Sequence, residues 1–423
     1  MKAKQFLKGI VYERSEIDEW LSGRRFPFSK YDPDIGYLHR DRRCREGVDG
    51  SWCTYTYERR TGARTILNNA DQKCRINTYG NSYTNCEQVN DGETWQELLA
   101  ARIGEPIRNF GTGGQSVYQM YLRMRREEEA VPAKYIIMNI YGDDPFRSLA
   151  PWQSIRLRSF LVNERSWGSD HTWPPQPYIK ANPATKEFRE FKNPCPEPKD
   201  LYDFCNLDWV YENFKEDFTL RIMLAKSNAE NGTPEDSYKD IEDLAEEYGV
   251  KRTIRDSKEL VETANLLFRD SAIYGAIRLV EKTEDFIRER NKQILFIGSY
   301  TSNALADYID PRDEPRLSAM RRPGHSFNKD FMRFMKKRGD RYVDLIEAHA
   351  EDFSRRRVKL SDYLKEFWVF PDQDVTHYAP AGNQFTARIT LGNLLRMLEP
   401  KPPAYLPALS EKWDTCVSLD QAR

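Results

Sequence analysis

The sequence lacks any apolar run approaching the roughly 20 residues that a helix needs to cross a bilayer. It also lacks an excess of charge of either sign, because 65 basic and 66 acidic side chains give a formal net charge of −1. We therefore expect neither a membrane protein nor one that binds nucleic acid through general positive charge. A hydrophobic content of 39% with 13% aromatic residues instead indicates a folded globular chain.

Cysteine and histidine are sparse, and neither shows the spacing of a metal site. The seven cysteines include no Cys-x-x-Cys pair, so free thiols are expected rather than a zinc site or a redox pair. The first ten residues, MKAKQFLKGI, lack the apolar stretch of a secretory signal. These observations predict a cytoplasmic protein with neither a metal ion nor another cofactor.

Apolar periodicity predicts an α/β core. Short apolar runs at 74–79, 106–110, 134–140, 293–298 and 341–345 are typical of strands. Amphipathic segments at 93–102, 115–129, 257–290, 328–337 and 382–398 are typical of helices. Since strands and helices alternate, we expect a parallel five-stranded sheet with right-handed crossovers.

The remainder of the chain differs from this core in composition. Residues 55–66 predict two short strands around a glycine turn, and therefore a β-rich extension. From Pro151 onward the chain is rich in proline and aromatic residues, as in NPCPEP at 193–198, which predicts an insertion with few regular elements. Such an aromatic excursion is expected either to cap a substrate cleft or to close a hydrophobic core of its own.

The chain therefore divides into one core in two parts, with additions. The predicted divisions are an N-terminal β-rich extension at 1–72, a first core part at 73–150, an insertion at 151–256, a second core part at 257–400 and a C-terminal tail at 401–423.

Polar motifs lie where the predicted strands end, which is where parallel α/β sheets bind ligands. GNSYT at 80–84 follows the first strand, NFGTGG at 109–114 the second and YGDD at 141–144 the third. DVTHYAPAGN at 374–383 runs into the last helix. We expect all four segments to meet at one edge of the sheet.

These segments contain the residue types of nucleophilic catalysis. A serine hydroxyl becomes a nucleophile when an imidazole takes its proton, and a carboxylate orients that imidazole. Ser82, His377 and Asp374 are the candidates for these three roles. The backbone amides of Ser82 and Gly114 are candidates for an oxyanion hole.

The motifs resemble those of the SGNH (GDSL-type) hydrolases. The family's Gly-Asp-Ser-x-(Ser/Thr) motif is matched by 80–84, its Asn-x-Gly-x-x-Gly turn by 109–114 and its Asp-x-x-His element by 374–387. The resemblance extends over roughly 74–150 and 290–398. It implies a flavodoxin-like three-layer α/β/α fold and a serine esterase that acts through an acyl-enzyme.

The sequence departs from the family pattern at two positions. Asn81 stands where the family has aspartate, and Asp143 stands where an asparagine side chain normally completes the oxyanion hole. An ionised carboxylate donates no hydrogen bond and repels an oxyanion. Either Asp143 is protonated, or the hole relies on Ser82 and Gly114, or the site does something other than plain hydrolysis. Asp143 and Asp144 also suit the start of a helix.

The resemblance favours a small-molecule or carbohydrate ester as substrate, with no nucleic-acid or membrane partner. Two alternatives stay open. The same three residues could transfer an acyl group to an acceptor other than water. Alternatively, the chain is a catalytically weakened SGNH protein that binds a ligand or a partner. Assembly into a homo-oligomer is also left open by the sequence.

Overall fold

The computed structural model describes residues 3–24, 28–161, 174–311, 328–372 and 376–405. Its strands are β1 (Ser29–Asp32), β2 (Gly36–His39), β3 (Arg42–Arg45), β4 (Trp52–Tyr55), β5 (Ile76–Gly80), β6 (Arg108–Asn109), β7 (Tyr135–Tyr141), β8 (Tyr178–Asn182), β9 (Glu187–Phe191), β10 (Gln293–Ser299) and β11 (Tyr342–Asp344).

The helices range from single turns to the 33 residues of α11. They are α1 (Ala3–Lys8), α2 (Arg14–Ser22), α3 (Ser82–Asn85), α4 (Trp95–Ile103), α5 (Val117–Ala130), α6 (Asp144–Arg147), α7 (Gln153–Leu161), α8 (Leu207–Phe214), α9 (Phe218–Glu230), α10 (Tyr238–Glu247), α11 (Ser257–Glu289), α12 (Ser302–Ile309), α13 (Lys329–Lys336), α14 (Leu345–Arg355), α15 (Leu360–Phe367) and α16 (Pro380–Met397).

A five-stranded parallel sheet forms the centre of the fold. Its strand order is β11-β10-β7-β5-β6, and every neighbouring pair is parallel. The predicted five-stranded parallel α/β sheet is therefore confirmed. Counted along the chain within this sheet, the order is 2-1-3-4-5. Each of these strands begins and ends within two residues of its predicted bounds.

The central strands β5 and β7 are buried along their whole length because helices cover both faces of the sheet. Alternate residues of β7 show this directly: Ile136 and Met138 belong to one buried cluster, whereas Tyr135 and Ile137 belong to the other. The first cluster includes residues of α5, α9 and α11, and the second includes residues of α4, α12, α14 and α16. A strand that is buried on both faces does not alternate between apolar and polar residues.

The N-terminal extension contains two helices in addition to strands. Helices α1 and α2, which the sequence did not predict, precede the antiparallel hairpins β1–β2 and β3–β4. The prediction of two strands within 55–66 is wrong beyond one isolated antiparallel bridge between Tyr57 and Arg64. The buried Arg64 guanidinium anchors this segment, binding the Asp91 carboxylate at 2.7 Å and the Cys86 carbonyl at 2.9 Å.

The insertion is more regular than its composition predicts. It contains α7, the antiparallel hairpin β8–β9, and helices α8, α9 and α10, so the expectation of few regular elements is wrong. Its aromatic side chains pack into the core beside the extension. The Trp152 ring lies 5.1 Å from both the Tyr12 and Phe204 rings, and the Trp152 Nε1–H donates to Tyr12 Oη at 2.7 Å.

Asp374 lies outside the described residues, and of the tail only 401–405 is described. In the described part of the chain, no helix combines the length and the apolar character that a membrane crossing requires.

The close approach of Gly111 to α3 yields a first prediction. A Cβ atom at Gly111 would lie 2.1 Å from the Asn85 backbone nitrogen, so Gly111→Ala must push two backbones apart. We expect this substitution to lower the free energy of unfolding by roughly 1–3 kcal/mol, as overpacking does. Gly92→Ala is the matched control, because its Cβ would meet only Leu67 Cδ1 at 3.6 Å. Urea unfolding of both variants checks this, and equal stabilities would contradict it.

Candidate active site

Ser82 lies directly after the central strand β5, at the first position of α3. The Asn81 side chain caps this helix by accepting a hydrogen bond from the Tyr83 N–H at 2.8 Å. Gly80 is required at the end of the strand, since a Cβ there would lie 1.9 Å from Thr84 Oγ1. Amides in the first turn of a helix have no intrahelical acceptor. The Ser82 N–H is therefore available in principle to an external acceptor.

The 109–114 turn is bound tightly to the Ser82 turn. The Asn109 side chain donates to the Thr84 carbonyl at 2.8 Å and accepts from the Gly111 N–H at 2.8 Å. The Thr112 N–H donates to the Gly80 carbonyl at 3.0 Å. These bonds explain the spacing of the motif, because a single asparagine shapes its own turn and joins it to α3.

Gly114 ends this turn in the left-handed region, with φ of 77°. Glycine adopts this conformation without the steric cost that a side chain brings. Among the residues that the structure describes, no acceptor is found for the Gly114 N–H. Its amide therefore meets the first requirement of an oxyanion-hole donor.

His377 is held beside the residue that follows Ser82. The Tyr83 hydroxyl donates to the Thr376 carbonyl at 2.8 Å, and the His377 N–H donates to Gln88 Oε1 at 3.0 Å. The centroids of the Tyr83 and His377 rings are 5.2 Å apart. Of the residues predicted from sequence, the structure thus brings Ser82, Gly114 and His377 to the same edge of the sheet.

A carboxylate that the sequence did not single out lies next to His377. Glu87 Oε2 is 3.9 Å from His377 Nε2, and Glu87 Oε1 is 3.5 Å from His39 Nε2 and 3.6 Å from Arg42 Nη2. Glu87 belongs to none of the motifs predicted from sequence, and His39 and Arg42 come from the N-terminal extension. The sequence feature connected with Glu87 is the glycine at position 113. A Cβ at Gly113 would lie 2.0 Å from Glu87 Oε1, so the approach of Glu87 requires a glycine there.

Burial and two nearby arginines favour a neutral His377, although the charge of Glu87 acts in the opposite direction. Burial opposes ionisation of Glu87, but the charge of Arg42 brings the pKa of Glu87 well below its usual range. Burial lowers the pKa of His377, and Arg147 and Arg42 lower it further, while Glu87 opposes them. A neutral imidazole near pH 7 is the form that can accept a proton.

The other ring nitrogen of His377 is buried, and Nδ1 has no hydrogen-bond partner among the described residues. In a serine triad this atom faces the orienting carboxylate. Asp374, the predicted carboxylate, lies outside the described residues.

Asp143 does not donate the hydrogen bond to an oxyanion that is expected of a side chain at its predicted position. Its two carboxylate oxygens accept from Arg156 Nη1 at 2.8 Å and Nη2 at 2.7 Å, and Arg147 Nε adds a contact of 2.9 Å. A carboxylate paired with two guanidinium groups is ionised and only accepts hydrogen bonds. Of the alternatives raised by the sequence, a protonated Asp143 is therefore the one that this geometry opposes.

Asp144 connects this ion pair to the Ser82 turn. Its Oδ2 atom accepts from Asn81 Nδ2 at 2.5 Å and from the Tyr141 N–H at 2.8 Å. Burial raises the pKa of the Asp144 carboxyl group to about 7, although the charge of Arg147 and the Asn81 hydrogen bond act against the rise. An amide at position 81 avoids a second carboxylate here, which gives the departure from the Gly-Asp-Ser pattern a physical reason.

Comparisons with known proteins add no assignment. No protein-family model matches the chain, and no curated protein matches it either. Within the described residues, no cluster of three or more His, Cys, Asp or Glu side chains is arranged to hold a metal ion.

The Glu87 contact yields a second prediction. Glu87→Gln removes the negative charge that favours the protonated imidazole, so we expect the pKa of His377 to fall below its wild-type value. NMR titration of the histidine ring signals measures this pKa, with His377→Gln identifying the resonance. Glu105→Gln is the matched control, because it breaks an arginine–carboxylate pair with Arg75 outside this site. An unchanged pKa in Glu87→Gln would show that Glu87 does not act on His377.

Proposed function

We propose that the protein is a serine hydrolase of the SGNH type that cleaves a carboxylic ester through an acyl-enzyme. The observation that carries this proposal is that the His377 ring, almost 300 positions along the chain, lies 5.2 Å from the ring of Tyr83, the residue after Ser82. Tyr83 and Thr376, the neighbours of Ser82 and His377, are joined by a hydrogen bond of 2.8 Å. A serine and a neutral imidazole held in one place are the parts that nucleophilic catalysis requires.

The topology supports a flavodoxin-like, three-layer fold for this site. The strand order 2-1-3-4-5 is that of flavodoxin-like sheets. In such sheets the ligand lies at the switch point, where the chain turns from one side of its first strand to the other. Here that point lies between β5 and β7, and Ser82 follows β5 directly.

In the proposed reaction, Ser82 Oγ attacks the ester carbonyl and His377 accepts the hydroxyl proton. The tetrahedral intermediate then expels the alcohol, which takes the proton from His377. Water then attacks the acyl-enzyme while His377 accepts its proton. Ser82 Oγ leaves, takes the proton back from His377, and the acid is released. Asp374 is the carboxylate that the family resemblance assigns to His377, and Glu87 supplies a second negative charge beside the imidazole.

The amides of Ser82 and Gly114 are the proposed oxyanion donors. The pairing of Asp143 with two arginines leaves the site without the side-chain donor that the family has at this position. Loss of one such donor costs about 10²–10³ in rate in other hydrolases. A slower enzyme, or a protein that binds an ester-like ligand without turnover, is therefore the second candidate. The proposed substrate class is a small-molecule or carbohydrate ester. In an acyltransferase, the same three residues would pass the acyl group to an acceptor other than water.

A fluorophosphonate probe tests the nucleophile. We expect wild-type protein to be labelled at Ser82 and Ser82→Ala to be unlabelled, because the probe reacts with activated serine hydroxyls. Ser302→Ala is the matched control, since Ser302 occupies the same strand-to-helix position after β10. Peptide mass spectrometry locates the label. An unlabelled wild type, or equal labelling of Ser82→Ala, would overturn the hydrolase proposal.

A comparison of two variants tests which carboxylate orients the imidazole. We expect Asp374→Asn to lower kcat for an activated ester by about 10³–10⁴, as loss of the triad carboxylate does elsewhere. Glu87→Gln should lower kcat far less, because Glu87 acts on His377 through charge at 3.9 Å. If the two effects were reversed, Glu87 would take the triad role and the assignment of Asp374 would be wrong.

A further inference from the structure

The N-terminal extension reaches the 109–114 turn, although no family motif includes it. Strand β2 is fixed against the core by the Gln119 side chain, whose Nε2 donates to the Ile35 carbonyl at 2.7 Å. Two residues of β2, Tyr37 and His39, are buried and face this turn, with only 1% and 5% of their surfaces exposed. Both side chains form hydrogen bonds with one glycine.

That glycine is Gly113, and both of its backbone polar groups are bound. The Gly113 N–H donates to His39 Nε2 at 2.7 Å, and the Tyr37 hydroxyl donates to the Gly113 carbonyl. For His39 Nε2 to accept this bond it must carry no proton, so the ring proton lies on Nδ1, which is 3.2 Å from the Phe28 carbonyl. Burial lowers the pKa of His39 and so favours this neutral form.

The Tyr37 bond has a consequence for the next residue. The Gly113 carbonyl and the Gly114 N–H belong to one planar, trans peptide unit, in which the two groups point in opposite directions. A hydroxyl that holds the carbonyl on one side therefore sets the direction of the N–H on the other. Hydrogen bonding at the carbonyl also polarises the peptide unit and strengthens its N–H as a donor.

The rest of the turn is anchored independently of this bond. The Arg123 guanidinium donates to the Phe110 carbonyl at 2.6 Å and also binds Thr112 Oγ1. On the other side of Gly113, the approach of Glu87 leaves no room for a side chain. Loss of the Tyr37 hydroxyl would thus release one peptide unit rather than the whole turn.

We propose that Tyr37 and His39 of the N-terminal extension are positioning residues for the Gly113–Gly114 peptide as an oxyanion donor. Tyr37 holds the carbonyl of this peptide, and His39 holds the preceding Thr112–Gly113 peptide through the Gly113 N–H. This inference rests on the proposed function, in which the Gly114 N–H binds the oxyanion. It assigns to the extension a part in the reaction: the extension completes the site by holding one amide, without itself touching the substrate.

Tyr37→Phe in the full chain tests this inference. Tyr31→Phe is the matched control, because Tyr31 in the same hairpin also donates to a backbone carbonyl, that of Cys195 at 2.7 Å. We expect Tyr37→Phe to lower kcat for an activated ester and the rate of fluorophosphonate labelling by about 10- to 100-fold, the range that a misplaced oxyanion donor costs. KM should change little, since the lost interaction is made in the transition state.

The outcomes separate the inference from the proposed function. An unlabelled wild type contradicts the proposed function, and the inference falls with it. A labelled wild type with equal rates in Tyr37→Phe and Tyr31→Phe overturns the inference alone. Should Tyr37→Phe fail to fold by circular dichroism, His39→Gln and His39→Leu carry the test. The glutamine variant keeps an acceptor for the Gly113 N–H and should be the more active, whereas equal activity would overturn the inference.

Discussion

Hydrogen bonds between the 109–114 turn and the first turn of α3 are the constraint on which the candidate site depends. The bond from the Thr112 N–H to the Gly80 carbonyl joins the ends of two neighbouring strands. The bond from the Asn109 side chain to the Thr84 carbonyl fixes the turn around Ser82. Such close contact is possible because Gly80 and Gly111 have no side chains. The serine and the proposed oxyanion donors are thereby held in one rigid arrangement before any ligand binds.

Charge balance around this arrangement favours the ionisation states that the proposed reaction requires. Glu87 is held ionised by Arg42, and Asp143 by Arg147 and Arg156. Each of these carboxylates thus has an arginine partner, which offsets much of the cost of removing it from water. His377, in contrast, is favoured in its neutral form by burial. The proposed proton acceptor is therefore in the form that can take up a proton.

The sequence predicts the parts of this structure that follow local patterns. The apolar run at 135–141 marks a strand covered on both faces, and the order of motifs marks Ser82, Gly114 and His377. Glu87, Tyr37 and His39 follow no local pattern, since only tertiary packing brings them to the site. The helices of the insertion are not predicted for a different reason. Proline and aromatic residues weaken the local helical pattern, and the stability of these helices comes from packing against the core and the extension.

The central claim is that Ser82 forms a covalent acyl intermediate. Its most direct test is to mix the full chain with p-nitrophenyl acetate, quench with acid within the first turnover, and analyse the peptides by mass spectrometry. We expect the peptide containing Ser82 to gain the mass of one acetyl group, and His377→Ala to abolish this gain. Acetylation at another residue, or hydrolysis of the ester with no adduct at Ser82 at any quench time, would contradict it.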